Sequence, residues 1–111
     1  MAHQFPESDW KLFRQLQPLA LDRFCQRVLA EVGRLVAATG KGSHERYRAV
    51  FKLLQKRDEE LAYSFDNPRR STAMIQLLRI RAERLLTEDE FDRFSAETRA
   101  VVQGILDIGR T

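Results

Sequence analysis

The sequence predicts an all-α protein: a bundle of four long helices preceded by a short N-terminal one. Three observations carry that expectation. Apolar residues recur at three- and four-residue steps along most of the chain. Sustained period-two alternation and Asn-Gly or Asp-Gly hairpin turns are absent. Gly and Pro are few, 5 and 3 in 111 residues, so long elements with short joints are expected. The length suits one domain, and residues 1–111 read as a single helical-bundle unit.

The first element is a short helix over about 8–17. At ~100° per residue, Leu12, Leu16 and Leu19 point opposite to the stripe of Leu21, Phe24 and Val28, and Pro18 stands where the phase changes. Either this segment folds back or it faces another chain. Trp10, Leu12, Phe13, Leu16 and Leu19 therefore form a candidate dimer interface, since a large exposed apolar patch marks a contact surface and two-fold self-association is the commonest assembly.

The long helices follow. Leu21, Phe24, Cys25, Val28, Val32 and Leu35 form the stripe of a helix over about 19–39, ended by Gly40-Lys41-Gly42. A helix over 43–65 is expected to bury Tyr47, Val50, Phe51, Leu54, Leu61 and Phe65. Asn67 as cap and Pro68 at the first helical position start a helix over about 68–86, with Met74, Leu77, Leu78 and Leu85 inward. Thr87-Glu88-Asp89-Glu90 is a capping box, and Leu86 and Phe91 flank it as a hydrophobic staple. The last helix then runs over about 88–108 on Phe91, Phe94, Thr98, Val101, Val102, Ile105 and Ile108.

Composition narrows the function classes. With 43% hydrophobic and 32% charged residues the chain is a soluble globular type, too apolar for disorder. Its formal net charge is +3, and only Lys11, Lys41, Lys52 and Lys56 of 19 basic residues are lysine. A single cysteine, Cys25, excludes an intrachain disulfide and suits a reducing compartment. The segment Met1–Glu7 lacks the basic and apolar regions of a signal peptide, and no apolar run approaches the ~20 residues of a membrane span. A cytoplasmic location is expected.

Two clusters could carry chemistry. Arg69, Arg70, Ser71 and Thr72 fall at an expected helix start, where unpaired amides and partial positive charge attract an anion. They are the anion-binding candidate. Asp58 falls on the apolar face of its helix, and Arg70 and Arg81 on that of the next. Folded as an antiparallel hairpin, these helices make Asp58 with Arg70 or Arg81 a buried ion-pair candidate, because buried charges are paired. Alternatively, the same arginines line a polar pocket for a carboxylate or phosphate.

Catalytic sets are not found. His3 and His44 have no second ligand at metal spacing, and no Ser/His/Asp or Cys/His set can be assembled. No Gly-rich phosphate loop is present. No metal, cofactor or catalytic residue is expected. Glu45, Glu59, Glu60 and Glu83 interrupt the basic helix faces, which argues against nucleic acid as a partner.

The segments His44-Glu45-Arg46-Tyr47, Phe65-Asp66-Asn67-Pro68-Arg69-Arg70-Ser71-Thr72-Ala73 and Leu85-Leu86-Thr87-Glu88-Asp89-Glu90-Phe91 carry one resemblance. Over much of positions 44–99 the chain resembles a group of small uncharacterised helical proteins from proteobacteria. The resemblance implies a bacterial cytosolic origin and transfers no activity. The expected function is a non-enzymatic helical-bundle module for protein–protein interaction, homodimeric, with an unknown protein partner also possible. The alternative is a small regulatory module binding an anionic ligand or nucleic acid at Arg69 and Arg70.

Overall fold

The computed structural model describes residues 5–109; His3 lies outside them. Every regular element among the described residues is helical: α1 Glu7–Val36, α2 Ser43–Phe65, α3 Ala73–Ala82, α4 Glu88–Asp92 and α5 Ala96–Ile108. The expected four long helices and a short leader are thus redrawn as helices of 30, 23, 10, 5 and 13 residues. No helix among the described residues is long and apolar enough to cross a membrane.

The first correction is at Pro18, which lies inside α1 without ending it. Pro18 and Arg14, whose carbonyl loses its i+4 donor, are both on the exposed side, where water can replace the missing hydrogen bond. The change of apolar phase is real but has another cause. The buried residues of α1 run from Leu12, Phe13 and Leu16 through Ala20 to Phe24 and Val28, winding around one continuous helix. Its first half packs into the core with Phe5, Leu77, Phe94 and Val102, whereas its second half runs beside α2. One helix with two sets of neighbours shows two apolar faces.

A second correction concerns α3. Asn67 takes a left-handed φ of 49°, and Thr72 and Ala73 donate to the carbonyls of Arg69 and Arg70 in tight turns, so the regular helix starts at Ala73 rather than at Pro68. Its end is a Schellman turn: Leu85 N–H donates to Ile80 O, Arg84 N–H donates to Arg81 O, and Arg84 sits at φ 57°. Leu85 and Ile80, the hydrophobic pair of that turn, are both buried.

The third correction splits the expected 88–108 helix. The capping box at Thr87 forms as expected, with Glu90 N–H donating to Thr87 Oγ1 at 3.1 Å and Thr87 N–H to Glu90 Oε1 at 2.8 Å. After five residues the helix stops, and Ser95 caps α5 through its hydroxyl, which accepts from Thr98 N–H. Asp9 of α1 holds this break. Its carboxylate, 2% exposed, accepts from Ser95 N–H at 2.9 Å, Ser95 Oγ at 2.7 Å and Thr98 Oγ1 at 2.6 Å. A buried carboxylate is tolerable when its oxygens are hydrogen-bonded at a helix N-terminus.

An aromatic cluster fills the core. Phe5 meets Phe13 edge-on at 6.3 Å and Phe94 at 6.4 Å, Phe91 meets Phe94 at 6.2 Å, and Phe24 meets Phe65 at 5.8 Å. Two arginines one turn apart on α1 tie it to the α3–α4 connection. Arg23 donates to Leu85 O and to both carboxylate oxygens of Glu90, while Arg27 donates to the carbonyls of Glu83 and Arg84.

Beyond this core, the second half of α1 and most of α2 form an antiparallel hairpin. Gly40, at φ 79°, turns the chain between them. Arg46 of α2 donates to Val36 O and so caps the end of α1. Across the hairpin Arg57 forks onto Glu31 at 3.0 and 3.1 Å and also reaches Glu60 at 2.8 Å. Arg57 holds the Glu31 carboxyl below the usual carboxylate range, and the two carboxylates hold the guanidinium in its charged form. At the other end of α2, Gln17 and Gln76 donate to the carbonyls of Phe65 and Asp66.

Candidate interaction face on the helical hairpin

Only Ser64 and Phe65 of α2 are fully buried. The stripe expected to be core is largely solvent-facing: Tyr47 is 68% exposed, Phe51 53% and Leu54 45%, while Val50 and Leu61 are half-buried. On α1, Leu29 is 67% and Val36 52% exposed. Together they form an apolar face along one side of the hairpin. At its centre lies a groove of about 610 Å³ between the helices, lined by Phe24, Cys25, Val28, Leu29, Phe51, Leu54 and Leu61, with Gln55, Arg57 and Asp58 on its α2 wall.

Large apolar side chains lie on this face because α2 has one neighbour over most of its length. Its half-buried positions 46, 50, 53, 57 and 60 follow helical spacing towards α1. Tyr47, Phe51, Leu54 and Asp58 lie on an adjacent stripe, and no segment among the described residues covers them. Exposed single hydrophobics are ordinary, but a contiguous apolar groove on one side of a hairpin marks an interaction surface.

The charges around the groove are divided by position. His44, Arg48 and Lys52 stand towards the hairpin tip and Asp58 towards its base. Asp58 is exposed and has no ion-pair partner among the described residues, which overturns its expected pairing with Arg70 or Arg81. The physical reason is helix phase: Asp58 shares the stripe of Tyr47 and Leu54, which faces away from α3. Arg81 instead pairs with Glu88 at 2.9 Å and lies over the Phe91 ring at 4.2 Å. Arg70 donates to Phe5 O at 2.8 Å and to Glu7 at 2.7 Å, so its charge is already compensated within the chain.

That last contact also changes the anion candidate. Arg69, Arg70, Ser71 and Thr72 are exposed but precede the regular helix, in the turn that leads to Ala73. Thr72 Oγ1 is occupied locally, donating to Arg69 O and accepting from Arg69 N–H. With the Asn67 amide turned so that its oxygen accepts, the Arg69 guanidinium donates to it at 2.8 Å. The four residues are neighbours, but the polar groups of Arg69, Arg70 and Thr72 are engaged with partners inside the chain.

The N-terminal interface candidate is redistributed as well. Leu12, Phe13 and Leu16 are buried in the chain's own core, and Trp10 is half-buried, stacked on Phe13 at 6.1 Å. Of the five, Leu19 alone remains exposed, so the early helix presents no continuous apolar patch. Intrachain packing won because α1 continues through Pro18 and lays this segment against α3 and α5.

The groove holds no set of converging polar groups of the kind that orients a substrate. Cys25 is a free, half-buried thiol on an apolar wall, and Arg57 is committed to Glu31 and Glu60. No group of three or more His, Cys, Asp and Glu placed to hold a metal ion occurs among the described residues. Comparison with protein-family models, curated proteins and solved structures finds no match, so the geometry alone carries a functional reading.

Proposed function

We propose that the protein is a non-enzymatic helical interaction module that self-associates as a homodimer through the exposed face of the α1–α2 hairpin, in a bacterial cytoplasm. The observation that carries this reading is the uncovered stripe of Tyr47, Phe51 and Leu54 beside Leu29. Fully burying a Leu or Phe side chain is worth roughly 1.5–3 kcal/mol, and about half of that is forfeited while Phe51 and Leu54 stand about half exposed.

The extent of the chain supports covering by another molecule. Its radius of gyration is 16.9 Å, against roughly 13 Å expected for a compact domain of this length. Its accessible surface is 7671 Å², against roughly 6,300 Å² expected for a folded monomer of this mass. The excess exceeds the ~800 Å² that each partner buries in a stable interface. Pairing two hairpins would complete a four-helix bundle, in which each apolar face covers the other.

Light scattering on the purified chain should give a mass near twice 13.0 kDa. Phe51→Glu should reduce it to one chain while leaving helical circular dichroism unchanged, because Phe51 contributes little to the monomer core. A one-chain mass for the unaltered protein at its highest soluble concentration removes the reading.

A further inference from the structure

We infer that the two copies meet antiparallel, about a two-fold axis passing between Phe51 and Leu54 of α2, so that Asp58 of each copy reaches Tyr47 and Arg48 of the other. This register rests on the self-association reading and adds to it the orientation of the partner.

The first support is spacing. Residues 47, 51, 54 and 58 follow i, i+4, i+7 and i+11 on one helix stripe, and all four are exposed. A two-fold axis between 51 and 54 lays Phe51 on Leu54 and Tyr47 on Asp58. Each Phe51 ring then enters the other copy's groove beside Cys25, Val28 and Leu29. The stripe is self-complementary in one direction only, with an aromatic at one end and a carboxylate at the other.

Charge is the second support. Neither Asp58 nor Arg48 has a hydrogen-bond or ion-pair partner among the described residues, whereas Arg57, one position from Asp58, is doubly paired. An antiparallel partner brings the phenol of Tyr47 and the guanidinium of Arg48 to Asp58 twice, once at each end of the contact. A parallel partner would set Asp58 against Asp58 and Arg48 against Arg48, and like charges facing each other across an interface are costly. A helical segment of an unrelated protein would have to reproduce this alternation. The second copy already has it.

Charge reversal tests the register. Asp58→Arg and Arg48→Asp, each alone, place like charges at both ends of the dimer and should raise the dimer dissociation constant roughly tenfold or more. The double variant Asp58→Arg/Arg48→Asp restores opposite charges at both ends and should return to within about threefold of the unaltered protein, and so should an equimolar mixture of the two single variants. Sedimentation equilibrium measures all five samples, and circular dichroism checks that these surface variants fold. Single reversals that leave dimerisation unchanged, or a double variant as weak as the singles, overturn the antiparallel register while leaving self-association intact. An unaltered protein that remains one chain overturns both.

Discussion

Glu90 serves two elements at once. Its Oε1 accepts from the Thr87 N–H as the reciprocal half of the capping box, and both oxygens accept from the Arg23 fork at 2.7 and 2.9 Å. The Arg23 hydrogen bonds, opposed by partial burial and aided by the Thr87 amide, draw the carboxyl down from 4.5 to about 2. Because the folded carboxyl releases its proton more readily than the unfolded one, this interaction stabilises the fold fully above about pH 4.5. That stabilisation is lost as the pH falls towards about 2. Glu90→Gln keeps an acceptor for the Thr87 amide but removes the charge facing Arg23. It should cost about 1.5–3 kcal/mol near neutral pH, the range for hydrogen bonds to a charged group. Denaturant midpoints of the two proteins should converge across that acid window. A gap of constant width would mean that the guanidinium does not depend on the carboxylate charge.

The helices show what local signals can and cannot specify. The bounds of α2 and the capping box before α4 were legible because each depends on a few adjacent residues: Gly40-Lys41-Gly42 with Ser43, and Thr87 with Glu90. The continuity of α1 was not, since whether Pro18 breaks a helix depends on neighbours far away in sequence. The pause at Ser95 was also missed. Ser95 and Thr98 carry a capping signal, but the acceptor that fixes it is Asp9, more than eighty residues away. The candidate face was half legible: Tyr47, Phe51 and Leu54 were recognisable as an apolar stripe, but periodicity shows that a face avoids water, not which chain covers it. The end of α3 offers a test at this scale. Arg84 occupies the left-handed position of the Schellman turn, where a side chain is disfavoured, and its guanidinium has no partner among the described residues. Arg84→Gly should therefore raise stability by about 0.5–1 kcal/mol, visible as a higher denaturant midpoint with an unchanged slope. An unchanged or lower midpoint would show that this turn tolerates arginine without strain.

At the scale of the whole molecule, the chain divides its apolar surface between two uses. Phe5, Phe13, Leu77, Phe94 and Val102 close a core around the first half of α1, and the arginines Arg23 and Arg27 clamp the α3–α4 connection onto it. The hairpin extends from that core, to which it contributes Phe24, Val28 and Phe65, and leaves one apolar face uncovered. Arg46 on Val36 O and Arg57 on Glu31 add polar contacts along its edges to the packing of Val28, Val32 and Leu61. Cys25 reports on that face without perturbing it, since its thiol is half-buried on the groove wall where a second copy's Phe51 would seat. Reaction of the thiol with an aromatic disulfide reagent should slow as protein concentration rises through the dimerisation range, because only the free chain leaves the groove open. Phe51→Glu should react at the fast rate at every concentration. Should the unaltered protein react at one rate throughout, equal to that of the Phe51→Glu variant, a second copy does not cover the groove, and the dimer must be sought on another face.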